Sequence, residues 1–344
     1  MTQEKSILKT RLAYKPFEYP EIEKFTDGIN KTFWVHSEVD FDDDIQDWKV
    51  KLNDTERYII GTILKTFTQT EVHVADEFWS KIGEYLPKPE IFEVAATFTE
   101  NEWRHAKAYS RLNEVLGLDN FDEFLRDEIA LERFENLIKV RQSHGGKPSV
   151  EDIMRTLAIF GAFTEGVNLF SQFAILKSFS SNGRNLLTNI GNIIEWSQKD
   201  ENLHSLCAIY IFNIIKAENP DIFTEELKSD IVNAAILTFD IENHLLDQIF
   251  SMGELPNLTK VELINFMKER INRNLGLMGI EPIYDEDTEL SKKMKWFYDS
   301  FISQEHADFF YHRPTAYTKH TKAFDTKSVF VDKLEVENIF NQNN

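Results

Sequence analysis

The 344-residue chain carries 58 acidic and 38 basic side chains, a net charge of −20, so it repels nucleic-acid backbones and anionic membrane surfaces. Apolar residues make up 42% of it and phenylalanine alone occurs 28 times, which excludes disorder throughout and supplies a core. Cys207 has no second cysteine to pair with, MTQEKSILKTRL has no apolar signal core, and no apolar run approaches the roughly 20 residues of a membrane span; a soluble protein of a reducing cytoplasmic compartment is expected.

From Asp54 to Ile82 the chain is free of proline and sets Ile59, Ile63, Phe67, Val74 and Phe78 at helical spacing, predicting one long amphipathic helix. A second begins near Pro89, suited to a first helical turn, and runs to Gly117, with Phe98, Glu102, His105 and Tyr109 on one face. A further helical stretch covers 121–142. The segment SHGGKPS breaks it, and Ser149 with Asp152 resembles a capping box for a helix reaching about Phe179. After the loop SSNGRN another long helix carries IIEWSQKDENLHSLCAIYIF, and more follow around 221–251, 259–275 and 290–311, the middle one opened by Thr259 and Glu262. Strand-type alternation is almost absent, so an all-α bundle is the expected class, as one large domain over residues 1–313. Beyond Arg313 the periodicity fades, and residues 314–344 are expected to form a flexible tail.

Two of the nine histidines follow a glutamate by three residues within a helix: Glu102 with His105 in ENEWRHAKAY, and Glu201 with His204 in KDENLHSLC. That step puts a carboxylate and an imidazole on one helix face. A single such pair reads as an ordinary surface charge pair. Two pairs, with one carboxylate on each of two other helices, are the donor set of di-iron and dimanganese bundles. Glu71 in FTQTEVHV and Glu165 in IFGAFTEGVNLFSQF complete it. An unpaired buried carboxylate costs several kcal/mol, and no Lys or Arg lies within a turn of Glu165, so a metal is its cheaper partner. Four carboxylates and two imidazoles suit iron or manganese, and no second cysteine is present for zinc.

In order and spacing, Glu71, Glu102, His105, Tyr109, Glu165, Glu201 and His204 resemble the metal-site register of the small, radical-generating subunit of class I ribonucleotide reductase. The likeness covers nearly the whole chain. FWVHSEVD resembles the family segment with a radical-relay tryptophan, which falls on Trp34, and DFFYHRPTAYTKH the C-terminal stretch with a relay tyrosine, which falls on Tyr317. Asp200 matches the family aspartate that links a ligand histidine to that tryptophan. The resemblance implies a ferritin-like helical bundle with a dinuclear metal site in its core, a homodimer, and a tail that binds a large catalytic subunit where ribonucleotides are reduced to deoxyribonucleotides. It implies neither a nucleic-acid partner nor a membrane. No glycine-rich phosphate loop is present in this chain, which fits half of a two-subunit enzyme.

The first ligand departs from the commonest family pattern, which has aspartate where this chain has Glu71. Glutamate there with the tyrosine retained is similar to the subclass in which two manganese ions hold the oxidising equivalent and Tyr109 is a bystander. Two iron ions, or one of each metal, are the alternatives, with Tyr109 then the radical site. The rival function is another ferritin-like dimetal oxidase or oxygenase, against which Trp34, Tyr109 and Tyr317 discriminate.

Overall fold

In the computed structural model, which describes residues 5–118 and 148–299 and isolated positions between them, the chain is built from helices, with no β-strand among the described residues. Two short helices that the periodicity did not reveal come first, α1 (Glu23–Lys31) and α2 (Asp42–Val50). The expected first long helix starts as α3 (Asp54–Val74), where Asn53 Oδ1 accepts from Glu56 N at 2.9 Å and Glu56 Oε2 from Asn53 N at 3.0 Å. It does not continue as one α-helix to Ile82. Five residues, Ala75–Trp79, form a π turn before α4 (Ser80–Tyr85) completes it. α5 (Pro89–Leu116) ends where Gly117 takes the left-handed conformation at φ 72°, as its sequence predicts.

The reciprocal Ser149–Asp152 cap opens α6 (Val150–Thr156), and the helix again changes pitch: Leu157–Asn168 is π-helical before α7 (Leu169–Ser180). α8 (Thr188–Glu218), α9 (Glu225–Ile249) and α10 (Lys260–Met278) follow, α10 opened by the predicted Thr259–Glu262 box. Of the expected 290–311 helix, the described part is α11 (Thr288–Lys293), a turn at Met294 and helix at 295–299. The 121–142 helix lies mostly, and the tail with Tyr317 wholly, outside the described residues.

Four long elements make the bundle, α3 packed along α5 and the π segment at 157–168 along α8, and α9 and α10 both pack on that segment. α2 explains its own acidity. The N-terminus of α8 follows Leu187 and has no side-chain cap of its own, so Asp44 of α2 accepts from Asn189 N and Ile190 N at 3.2 and 2.5 Å, and Asp47 from Leu187 N at 3.0 Å. Between the layers Phe67, Phe170 and Phe173 pack with ring centroids 4.9 and 5.7 Å apart, and Phe67 meets Tyr109 at 4.9 Å. One stretch does reach membrane-span length and hydropathy, Val150–Ser180, contrary to expectation, but 94% of its apolar window is buried inside the bundle. Its apolarity is that of a central core helix.

Candidate metal centre

Six of the predicted residues meet in one buried cluster. Glu71 comes from the last turn of α3, Glu102 and His105 from α5, Glu165 from the long π segment, and Glu201 and His204 from α8; none has any solvent exposure. They form two overlapping sets, Glu71–Glu102–His105–Glu201 and Glu102–Glu165–Glu201–His204, in each of which the donor atoms lie within 4.8 Å of one another. Glu102 and Glu201 belong to both. Glu71 and His105 stand at one end, Glu165 and His204 at the other.

The close approaches here fall outside ordinary hydrogen-bond geometry. His105 Nδ1 lies 2.8 Å from Glu201 Oε1 and 3.4 Å from Glu102 Oε2, and His204 Nδ1 lies 2.7 Å from Glu102 Oε1, 3.5 Å from Glu201 Oε2 and 3.6 Å from Glu165 Oε1. Yet both oxygens of Glu71, Glu102 and Glu201, Glu165 Oε2 and both Nδ1 atoms have no hydrogen-bond partner. Carboxylate and imidazole atoms that converge in this way are arranged for cations. An orphaned buried polar atom is otherwise costly, and here they are concentrated at one place.

The electrostatics point the same way. Burial, then the facing Glu201 and Glu102, push the Glu71 carboxyl well above the usual carboxylate range, and burial does the same to Glu165. For Glu102 burial is outweighed by His204 and His105, which hold it far below that range. Burial opposes charge on both imidazoles, but Asp200, Glu102 and Glu201 raise His105, and Glu102 and Glu201 raise His204. Without cations the cluster must retain protons; two divalent ions would replace them. Cys207, one turn beyond His204, offers no thiolate, since burial pushes its thiol up.

Trp34, Asp200 and His105 form a connected chain. Asp200 Oδ2 accepts from Trp34 Nε1 at 2.8 Å and from Asn101 Nδ2 at 3.0 Å, and lies 3.0 Å from His105 Nε2. Trp34 stacks near His105, centroids 5.6 Å apart and planes 16° off parallel, and its carbonyl accepts from Arg104 at 3.2 Å. Tyr109 is fully buried with its ring 6.4 Å from that of His105, and the Ser197 side chain interacts with its hydroxyl. Burial and the Glu71 charge push its pKa up.

Sequence reasoning missed the groups that hold the cluster. Trp79 Nε1 donates to Glu165 Oε1 at 2.6 Å. Along the π segment, Ala162 O accepts from Asn274 Nδ2 at 2.6 Å and Gly166 O from Arg270 Nε at 2.5 Å, so α10 satisfies carbonyls on the ligand-bearing stretch. A Cβ on Gly161 would stand 2.1 Å from Ala208 Cβ, so here the segment and α8 touch backbone to side chain. The one signal available was composition: a buried tryptophan needs an acceptor for its N–H.

A sequence model of the family described as "Ribonucleotide reductase, small chain" matches residues 11–292. The chain is 30% identical to the probable ribonucleoside-diphosphate reductase small subunit 376L of Invertebrate iridescent virus 6, over 91% of this chain and 95% of that one. Its fold is similar to that of the ribonucleotide reductase R2 subunit from Clostridium botulinum, with TM-score 0.75 and 22% identity over 82% and 88% of the two chains. It is also similar to Streptococcus sanguinis dimanganese(II)-NrdF, with TM-score 0.71 and 17% identity over 82% and 96%.

Proposed function

The chain belongs to the ribonucleotide reductase small-chain family, and from that premise we propose that its buried cluster holds two manganese ions and that Trp34, Asp200 and Tyr317 carry the oxidising equivalent outward. As a family member it is the small subunit of a ribonucleoside-diphosphate reductase and works with a large subunit. The observation that carries the metal reading is the convergence of six buried residues, with both oxygens of Glu71, Glu102 and Glu201 and both Nδ1 atoms lacking a hydrogen-bond partner. Glu71 and His105 would hold one ion, Glu165 and His204 the other, and Glu102 and Glu201 both.

When bound, the metal pair would supply the oxidising equivalent that starts nucleotide reduction in the large subunit. The protein's part is to orient and to move protons. Asp200, accepting at Oδ2, keeps the proton of His105 on Nε2 and so turns Nδ1 toward the cluster. The same oxygen can take the indole proton when Trp34 gives up an electron. Tyr109 is a bystander in this reading, because Glu71 stands where the commonest family pattern has aspartate, as in the subclass whose two manganese ions hold the oxidising equivalent. Glu71 in place of aspartate and the dimanganese form of a fold relative support manganese. Tyr317 and the 314–344 tail would make the large-subunit connection, in a cytoplasmic homodimer.

Elemental analysis and electron paramagnetic resonance of the purified protein test this. Two manganese per chain with a coupled-pair signal is the expected result; two iron with a tyrosyl signal would overturn the choice of metal, and fewer than two metals the dinuclear reading itself.

A further inference from the structure

We propose that Trp79 is the positioning residue for the Glu165–His204 end of the cluster: its indole N–H fixes Glu165 Oε1, 3.6 Å from His204 Nδ1, and so sets the orientation in which the carboxylate is presented to a metal. The inference rests on the dinuclear reading above. Trp79 and Glu165 are both without solvent exposure, and the bond between them is 2.6 Å long. Glu165 Oε2 has no partner, so the two oxygens of one carboxylate are already differentiated. Indole donates and cannot accept, so it holds Oε1 as an acceptor without competing for the other oxygen.

The tryptophan itself cannot turn. Its ring lies 4.4 Å from Phe78, 4.7 Å edge-on from Phe98 and 5.8 Å from His204, so it touches both residues that belong to the second donor set alone. The π turn brings it there. On an uninterrupted α-helix, Trp79 would stand roughly 80° around the axis from Glu71, eight residues earlier; the wider Ala75–Trp79 turn swings it back toward that residue's face. The two pitch changes therefore meet, one delivering the donor and the other the carboxylate.

Each end of the cluster has its own tryptophan, with different work. Trp34 reaches His105 through Asp200 and also packs 5.6 Å from the half-buried Trp196, so it has oxidisable and ionisable neighbours. Trp79 is walled by phenylalanines, which are much harder to oxidise, and its polar edge ends on Glu165. It holds a ligand and does not relay a hole.

The test is a titration of the metal-free full-length protein with Mn(II), read as bound metal and by electron paramagnetic resonance. It compares wild type, Trp79→Phe, and the protein in which residue 79 is the benzothiophene analogue of tryptophan, which keeps the bicyclic shape and lacks the N–H. Both replacements should leave the first equivalent unchanged, weaken the second about 10- to 100-fold, and exchange the coupled-pair signal for that of isolated Mn(II) at two equivalents. If the benzothiophene protein binds both equivalents as wild type does, the N–H is not what positions Glu165 and the proposal falls, whatever Trp79→Phe does. A wild-type chain that takes up fewer than two metals overturns the dinuclear reading and the proposal with it.

Discussion

Trp34 and His105 share one oxygen: Asp200 Oδ2 accepts from the indole at 2.8 Å and lies 3.0 Å from the imidazole Nε2. An atom so placed can couple electron loss at one ring to proton position at the other. Trp34→Phe should keep both metals and lose nearly all turnover with the large subunit. Asp200→Asn should do more, since an amide neither takes the indole proton nor orients His105 as a carboxylate does; metal affinity at that end should fall about 10- to 100-fold as well. Metal titration beside turnover separates the two, and a Trp34→Phe protein with wild-type turnover would remove Trp34 from the path.

Tyr109→Phe should behave differently from either. It removes a hydroxyl and none of the six ligand side chains, so metal content and most of the activity should remain. A sharp tyrosyl signal in the resting protein, lost together with turnover in Tyr109→Phe, would return Tyr109 to the role of radical site.

Metal uptake should release protons. In the metal-free protein Glu71, Glu165, His105 and His204 all titrate above their ordinary values, whereas Glu102 is already ionised. Mn(II) must displace what the raised groups hold, so affinity should weaken as pH falls through their raised range. The sign for stability follows from the same shifts. A group whose pKa is raised on folding stabilises the fold at low pH and loses that contribution as pH rises through the folded value. Above the ordinary carboxylate range, where the oppositely shifted Glu102 already gives its full contribution, the metal-free protein should therefore lose more thermal stability with rising pH than the Mn-loaded protein does. Calorimetry in buffers of different ionisation enthalpy counts the protons; a count of zero would contradict this account.

Asn274 touches no donor atom of the cluster, yet Asn274→Leu should matter. It strips the side-chain donor from Ala162 O inside the core, which costs about 1–3 kcal/mol, and loosens the segment that carries Glu165. A lowered melting temperature together with weaker uptake of the second Mn(II) is expected. Unchanged melting would mean that the carbonyl finds another donor.

What could be read in the sequence was what repeats locally. Glu102 with His105 and Glu201 with His204 are three apart, and a three-residue step on a helix needs no tertiary information to place two side chains on one face. The boxes at Ser149 and Thr259 and the stop at Gly117 are local in the same way. The π segments were not legible, because a π turn is held by partners from elsewhere in the fold, here Asn274 and Arg270 at 157–168, more than 100 residues away in sequence. Trp79 was hidden by the same cause, since its direction depends on the turn that carries it. α2 escaped because its acidic residues serve the start of a different helix.

The contact between Gly161 and Ala208 makes one methyl group a spacer divided between two positions. Gly161 lies one π turn before Glu165, and Ala208 lies four residues after His204, so the thickness of that contact sets how far apart two elements of the donor set can stand. The pair should then covary as a sum. Adding the methyl at 161 alone wedges the helices open, whereas moving it across, with Gly161→Ala and Ala208→Gly together, restores the total and with it the gap between Glu165 and Glu201. Members of the family that bind the same two ions should be free to trade which side carries the methyl but not how many there are.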